Sequence, residues 1–153
     1  MKIRKYKTTD IPSIIGLIKE LATFEKSADK MRNSVEQMKQ EQDYFDCFVA
    51  ENKEGEIVGI ALYFFAYYTW VGKSLYLDDL YIKPDYRGSK IGTQLLKEIF
   101  KLAKTNNCKR LRWQVLDWNE PAIEFYKKCG ATLDEEWINC DFTSVEIDNF
   151  LNH

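Results

Sequence analysis

The sequence predicts an α/β chain of the α+β type, in which a mixed, mostly antiparallel central sheet is flanked by helices. Apolar runs at 47–50, 57–65 and 74–82 are separated by short polar or glycine-containing turns, which favours a meander of antiparallel strands. Apolar residues recur at helical spacing in 11–21 and 91–103. This spacing predicts two amphipathic helices that cover the sheet.

The chain is predicted to begin with a strand and a helix. Residues 2–6 alternate polar and apolar side chains, as a first strand does. Thr9 or Asp10 is suited to cap a helix, and Pro12 stands in its first turn, where a missing N–H costs nothing. The segment 25–46 is polar and helix-prone. We therefore predict a second short helix within it.

The last third of the chain returns to strands after one more helix. Residues 109–115 read as a strand, and Asn119 with Pro121 marks the start of a helix that stops at Gly130. A capping box then predicts a short terminal helix. Two further strands are predicted at 132–137 and 139–142, and the capping box lies at 143–146.

Composition restricts the class of protein. The chain has 153 residues, 45% hydrophobic and 30% charged, and no linker or repeat, so we predict a single domain over 1–153. No apolar run approaches a membrane span of about 20 residues, and the basic N-terminus lacks the apolar segment of a signal peptide. We therefore expect a cytoplasmic protein. The net charge of −2 without a basic stripe disfavours a nucleic-acid partner and favours a cationic small molecule.

The cysteine and histidine content argues against a metal site. Cys47, Cys108, Cys129 and Cys140 are widely spaced, and the only histidine is His153. Metal-ligand spacing is therefore missing, and no metal is expected. Buried free thiols are the expected state of the four cysteines.

One stretch predicts an anion site. A strand ends at Pro84, a short arginine-glycine loop follows over 87–92, and an amphipathic helix opens directly after it. The first N–H groups of a helix have no partner within the helix, and its dipole is positive at that end. An anionic cofactor would fit there.

The order of elements and this loop resemble the GNAT superfamily of acetyl-CoA-dependent N-acetyltransferases. The superfamily loop reads Arg or Gln, two residues, Gly, one residue, Gly or Ala, whereas Lys90 replaces the first of those glycines here. Within the superfamily the chain is most similar to the spermidine/spermine (diamine) and thialysine acetyltransferases. Four segments carry this similarity, at 18–25, 67–73, 75–80 and 118–131.

The resemblance implies the GNAT fold and an acyltransferase. The enzyme would move acetyl from acetyl-CoA to a primary amine of a small polyamine, diamine or thialysine-like substrate, by direct attack in a ternary complex. A protein lysine or N-terminal amine is the alternative acceptor, and a non-catalytic acyl-CoA sensor is the third hypothesis. The resemblance also implies a homodimer whose chains complete each other's sites.

The expected cofactor residues lie in three places. The loop amides and Thr93 suit a pyrophosphate. The resemblance implies that the main chain of 80–82 pairs with the pantetheine arm of the cofactor. It also implies that a second helix start, at 119–122, faces the cofactor and that Lys128 of the same helix lies near a phosphate. The full set is Leu80, Tyr81, Ile82, Arg87, Gly88, Ser89, Lys90, Ile91, Gly92, Thr93, Asn119, Glu120, Pro121, Ala122, Tyr126 and Lys128.

Two residues take catalytic roles by their positions in the family pattern. Tyr126 matches the tyrosine that protonates the thiolate sulfur, and Asp78 stands where the diamine acetyltransferases carry a glutamate that draws the amine proton. The shorter aspartate makes a bridging water more favourable. Asp78 and Asp79 are consecutive and point to opposite faces of a regular strand. A bulge is needed for both to reach one site, as is usual in this superfamily.

The acceptor residues combine acids with aromatic rings. Spaced carboxylates hold ammonium groups, and aromatic rings pack on methylenes or engage cations. Either Glu135 or Glu136 faces the acceptor, since the relatives carry one more residue before the tryptophan, and Trp113 is expected to pack in the core. The set that matches the family pattern is Phe24, Glu25, Asp78, Asp79, Arg112, Trp113, Gln114, Glu135, Glu136 and Trp137.

Overall fold

The central sheet has five strands in the order β1-β2-β3-β4-β5, in a computed structural model that describes residues 1–152. The first four strands pair antiparallel, and β5 pairs parallel with β4. The prediction of a mixed, mostly antiparallel sheet is confirmed. The strands are β1 (Lys2–Lys5), β2 (Asp46–Glu51), β3 (Ile57–Tyr68), β4 (Gly72–Ile82) and β5 (Arg110–Arg112).

The helices begin and end close to where the sequence signals place them. Asp10 precedes the first helix, but its carboxylate accepts from the Lys7 N–H and pairs with Arg4 instead of capping the helix. Ser34 and Thr143 cap the second and last helices with their hydroxyls. The helices are α1 (Ile11–Phe24), α2 (Val35–Gln40), α3 (Ile91–Thr105), α4 (Glu120–Lys128) and α5 (Ser144–Leu151).

Apolar side chains form two clusters that share the strands of the sheet. One cluster joins α1 and Met38 of α2 to residues such as Val49, Ile60 and Leu62. The other joins α3 to Val58, Tyr63 and further strand residues. Strand residues alternate between the two faces of the sheet. The helices α1 and α2 therefore cover one face, and α3 covers the other.

The chain divides into two compact units, residues 1–114 and a second unit that starts at Val115. The first contains the sheet with α1, α2 and α3, and the second contains α4 and α5. The predicted end of α4 at Gly130 is confirmed, because this residue follows the C-cap with a φ of 92°, which favours glycine.

The strand predictions after α3 are corrected. The strand expected over 109–115 has only the residues Arg110–Arg112, and the segment 132–142 forms no strand in the described part of the chain. Nearly every residue of 132–142 is exposed, including Trp137 and Phe142. A strand needs a neighbour for its backbone hydrogen bonds, and alternation of side chains does not supply one.

The cysteines are free, but only Cys47 is fully buried. Cys129 and Cys140 are exposed, so the expectation of four buried thiols is wrong for these two. They lie in the second unit, where the described side chains are mostly exposed. Across residues 1–152, no helix combines the length and the apolar composition needed to cross a bilayer.

Candidate active site

One edge of β4 is unpaired beyond its contact with β5. The strand β5 pairs with β4 only from Ser74 to Tyr76. Backbone groups of an antiparallel strand alternate between its two edges, and the Lys83 N–H donates to Val58 on β3 at 2.9 Å. Leu80 and Ile82 therefore direct their backbone groups to the other edge. Within residues 1–114 no strand pairs with that edge there, and Arg87 Nε donates to the Ile82 carbonyl, so the Leu80 groups and the Ile82 N–H are available to an amide-bearing ligand.

Tyr81 differs from the two residues beside it. Its backbone groups face β3 in the same ladder, where it pairs with Ile60. Its ring is buried, and its hydroxyl donates to Glu20 of α1 at 3.0 Å. The expectation that the main chain of all three residues meets the cofactor is thus limited to Leu80 and Ile82.

The loop after β4 brings the start of α3 close to this edge. Gly88 has a φ of 80°, a conformation that favours glycine. A Cβ atom at Gly92 would lie 3.3 Å from Cδ1 of Ile82, so the first turn of α3 packs tightly on the strand. Ile91 is buried and Thr93 is exposed in that turn. The unpaired N–H groups of the first turn and the helix dipole suit a phosphate there.

Arg87 is held by the strand and by two aromatic rings. Its Nε donates to the Ile82 carbonyl at 3.0 Å. Its guanidinium lies 5.5 Å from the ring centre of Phe24 and 5.4 Å from that of Tyr81. Arg87 thus connects the anion loop to the end of α1, where two of the expected acceptor residues, Phe24 and Glu25, are found.

Lys90 has the backbone conformation that explains the family's glycine. It precedes α3 with a φ of 65° and a ψ of 9°, in the left-handed region. The Cβ atom of an L-residue crowds the backbone there, at a cost of roughly 1–2 kcal/mol. Its side chain is exposed. The departure from glycine is therefore a strained backbone position at the head of the helix.

Replacing Lys90 by glycine is expected to raise the free energy of unfolding by about 0.5–1 kcal/mol, because relief of strain exceeds the added freedom of the unfolded chain. Urea unfolding measures this change. Lys97→Gly is the matched control, since Lys97 is exposed inside α3 and should lose about 1 kcal/mol. Equal losses in both variants would contradict the assignment of strain to Lys90.

A β-bulge brings two consecutive acids to one site. Leu62 pairs with Asp79 and Tyr63 with Leu77, so Asp78 has no residue opposite it on β3. Regular alternation is broken at this point, and Asp78 and Asp79 both line the same cleft. The bulge that both aspartates need in order to reach one site is present.

The cleft has a volume of about 380 Å³ and lies within the first unit. This volume is within the range of small-molecule sites, about 300–1,000 Å³. Apolar and aromatic side chains make up most of its wall, and three carboxylates and one asparagine complete it. Its lining consists of Ile18, Met31, Asn33, Met38, Glu41, Tyr44, Phe45, Leu62, Phe64, Asp78 and Asp79.

The two aspartates of the cleft and the nearby Glu25 repel one another. Burial, followed by the charges of Asp78 and Glu25, raises the pKa of Asp79 to about 7. Burial also raises the pKa of Asp78, although its side chain reaches solvent, and burial with the Asp78 charge raises the pKa of Glu25. No lysine or arginine of residues 1–152 forms a salt bridge with the three. A cationic ligand would relieve this repulsion.

Replacing Asp79 by asparagine is expected to stabilise the protein most at high pH. The pKa of this carboxyl is about 7 in the folded chain and about 3.9 in an unfolded one, so the folded state binds more protons and the wild type loses stability as pH rises between these values. The difference of about 3 pKa units corresponds to a gain of about 4 kcal/mol at pH 8 and about a third of that at pH 5.

Chemical denaturation at the two pH values checks this result. Asp85→Asn is the matched control, because it makes the same substitution at an exposed position in the turn after β4. A loss of stability at pH 8 in Asp79→Asn would show that the charged carboxylate has a favourable partner.

The second unit carries the expected residues of the second helix start. Asn119 is at the N-cap of α4 without a side-chain cap, and Pro121 stands in the first turn as predicted. Tyr126 is partly buried, with its ring centre 5.7 Å from that of Phe125. Lys128 is in the last turn, at the end of the helix opposite the cap. Glu120 and Ala122 complete the set of cofactor residues expected on α4.

The remaining acceptor residues are distributed between the two units. In the first, the Arg112 guanidinium lies 4.8 Å from the ring centre of Tyr68, and Trp113 packs on the α3 cluster, as expected for a core residue. Gln114 next to it is exposed. In the second, Glu135, Glu136 and Trp137 are exposed and outside regular structure.

Glu41 and Tyr44 line the cleft and were not expected from the sequence. Glu41 follows the buried Met38 by one helical step of three residues, so both lie on the same side of α2. That spacing was the available signal. Tyr44 is 79% exposed and gives no periodic signal at all.

A free strand edge, a loop before a helix start and an acidic cleft lie on one sheet, an arrangement that suits a transferase with an anionic cofactor and a cationic acceptor. The chain belongs to the acetyltransferase (GNAT) family, whose model matches residues 14–131. It is 41% identical over 140 residues to a thialysine N-epsilon-acetyltransferase of Bos taurus, with 84% of this chain and 82% of that protein covered.

Two further comparisons support the family and the fold. A spermidine/spermine N(1)-acetyltransferase-like protein 1 of Homo sapiens is 34% identical over 159 residues, which cover 95% of this chain and 23% of that protein. An integron cassette protein from the mobile metagenome of V. cholerae has a TM-score of 0.81 at 24% identity, over 99% of this chain and 98% of that one. The second likeness concerns the fold alone.

Proposed function

We propose that the protein transfers acetyl from acetyl-CoA to a primary amine of a small diamine, polyamine or thialysine-like substrate, by direct attack in a ternary complex. The observation that carries this proposal is the cleft at the β4 bulge. Its carboxylates Asp78 and Asp79 have no basic partner among the described residues and stand next to apolar walls, which suits a cationic amine with an alkyl chain. The names of the relatives support the same acceptor class.

Acetyl-CoA fits the groups that the first unit offers. The backbone of Leu80 and Ile82 at the free edge matches the amides of a pantetheine arm, and the first turn of α3 with Gly88 and Thr93 matches a pyrophosphate. Acetyl-CoA supplies the activated thioester when bound. On α4, Asn119 to Ala122 form the second helix start proposed to face it.

The chain's own residues supply the proton transfers. We assign to Asp78 the removal of a proton from the acceptor ammonium, directly or through one water. Its raised pKa strengthens it as a base at neutral pH. To Tyr126 we assign the donation of the phenolic proton to the departing sulfur. A phenol of pKa about 10 gives its proton to a thiolate whose thiol has pKa about 8.5 against only a modest gradient.

We also propose a homodimer. Support comes from apolar side chains that are exposed in the second unit, where Trp137 is 71%, Ile138 89% and Phe150 76% exposed. A second copy would remove such surface from water. The molecular mass in solution, measured by light scattering, tests this arrangement.

Release of free thiol from acetyl-CoA tests the function. The purified chain is given spermidine, putrescine, aminoethylcysteine and a lysine-containing peptide in parallel. We expect thiol release with at least one free amine. Silence across the panel, with cofactor binding shown by a thermal shift, would overturn the proposal. Preference for the peptide over every free amine would establish the alternative, a protein amine acetyltransferase.

A further inference from the structure

Glu41 adds a third carboxylate to the cleft, and it comes from a different element of the fold than Asp78 and Asp79. It follows α2 as the C-cap residue, whereas the two aspartates lie in β4. The wall of the cleft thus carries carboxylates from two different elements, Glu41 from the end of α2 and the aspartate pair from the β4 bulge.

The Glu41 carboxylate forms no salt bridge with a lysine or arginine in residues 1–152. Its side chain is partly buried. A partly buried carboxylate gains more from a cation than an exposed one, because water screens the pair less. The cleft thus offers two separate places for positive charge.

Apolar side chains of the cleft suit a chain of methylenes. Met38 and Leu62 are buried, and Phe45 and Phe64 are partly buried. Such walls favour alkyl groups over hydrated ones, since burying apolar surface is favourable by about 25 cal/mol per Å². Separate carboxylates with an apolar wall match a linear molecule that has an amine at each end.

We propose that Glu41 is a specificity-determining residue that binds the second ammonium group of a linear diamine or polyamine acceptor. This inference rests on the proposed function and deepens it. When one amine is presented to Asp78 for acetylation, the distal ammonium pairs with Glu41. A monoamine of equal length has no group for this contact.

The same arrangement disfavours an amino acid as acceptor. The carboxylate of an amino acid needs a cationic or N–H-rich partner, and no lysine, arginine or histidine lines the cleft in residues 1–152. It would instead meet the charges of Glu41 and the aspartates. The structure assigns diamines a lower KM than an amino acid that presents the same terminal amine.

The test compares Glu41→Gln with the wild type on matched amines, namely putrescine against butylamine and cadaverine against pentylamine. We expect the variant to raise KM for the diamines about 10-fold, the size of a lost hydrogen bond between charged groups, and to leave KM for the monoamines within about twofold. Glu36→Gln is the control, because Glu36 is exposed on α2 and does not line the cleft. Glu41→Asp keeps the charge and should recover most of the diamine affinity.

The outcomes separate this inference from the proposed function. If the wild type releases thiol with none of the amines, both the proposed function and the role of Glu41 are overturned. Two outcomes with an active wild type would overturn the role of Glu41 alone. The first is an equal change of KM for diamines and monoamines in Glu41→Gln. The second is a lower wild-type KM for aminoethylcysteine than for every diamine. A thermal melt of each variant shows that it is folded.

Discussion

Replacing Tyr126 by phenylalanine is expected to lower kcat by roughly 10- to 10,000-fold, the usual range for loss of a general acid. The change removes one hydroxyl from a partly buried ring on α4 and keeps the ring itself. Coenzyme A affinity should therefore remain near that of the wild type. Steady-state kinetics and cofactor titration measure the two quantities separately.

Tyr67→Phe is a suitable control for this variant. Tyr67 is 76% exposed near the end of β3 and has no proposed catalytic role, so its loss of a hydroxyl should leave kcat unchanged. A parallel fall in cofactor affinity and in kcat for Tyr126→Phe would instead give the hydroxyl a structural role.

Replacing Asp78 by asparagine is the second change with a large expected effect, a fall in kcat/KM of about 100- to 10,000-fold. Asparagine is close in shape to aspartate but accepts no proton at neutral pH. In the wild type, kcat/KM should fall as the pH drops through the raised pKa of Asp78, because a protonated carboxyl is no base. The variant should lose this acidic limb of its pH profile.

Two further variants sharpen the result. Asp78→Glu restores the glutamate of the diamine acetyltransferases and is expected to keep most of the activity. Asp79→Asn leaves the proposed base in place and should reduce kcat/KM much less than Asp78→Asn. A greater loss in Asp79→Asn would transfer the role of base to Asp79, whose pKa of about 7 also suits that task.

The helices and the first four strands could be predicted because each has local signals. Pro12 fixes the first turn of α1, and the glycine at position 130 ends α4 in a left-handed turn. The strands of the meander are joined by short turns, so neighbours in sequence are neighbours in the sheet. The prediction of strands in the segment 132–142 was wrong for the opposite reason, since alternation of polar and apolar side chains does not provide a partner strand.

The candidate site was predictable only in part. The loop and the acids of β4 are contiguous in sequence and match a family pattern. Glu41 and Tyr44 could not be predicted, because they come from the polar segment 25–46, whose packing on β3 and β4 depends on the whole sheet. Contacts between elements distant in sequence leave no periodic pattern along the chain.

The sequence by itself determined the sheet meander, the helix boundaries, the anion loop and the family. These follow from local periodicity, caps and turn residues, which act over a few residues. Only the tertiary structure decided that Asp78 lies in a bulge, that Lys90 is left-handed and that Glu41 shares a cleft with two aspartates. Strand register and the packing of α2 set these features, because both depend on contacts made only after the chain has folded.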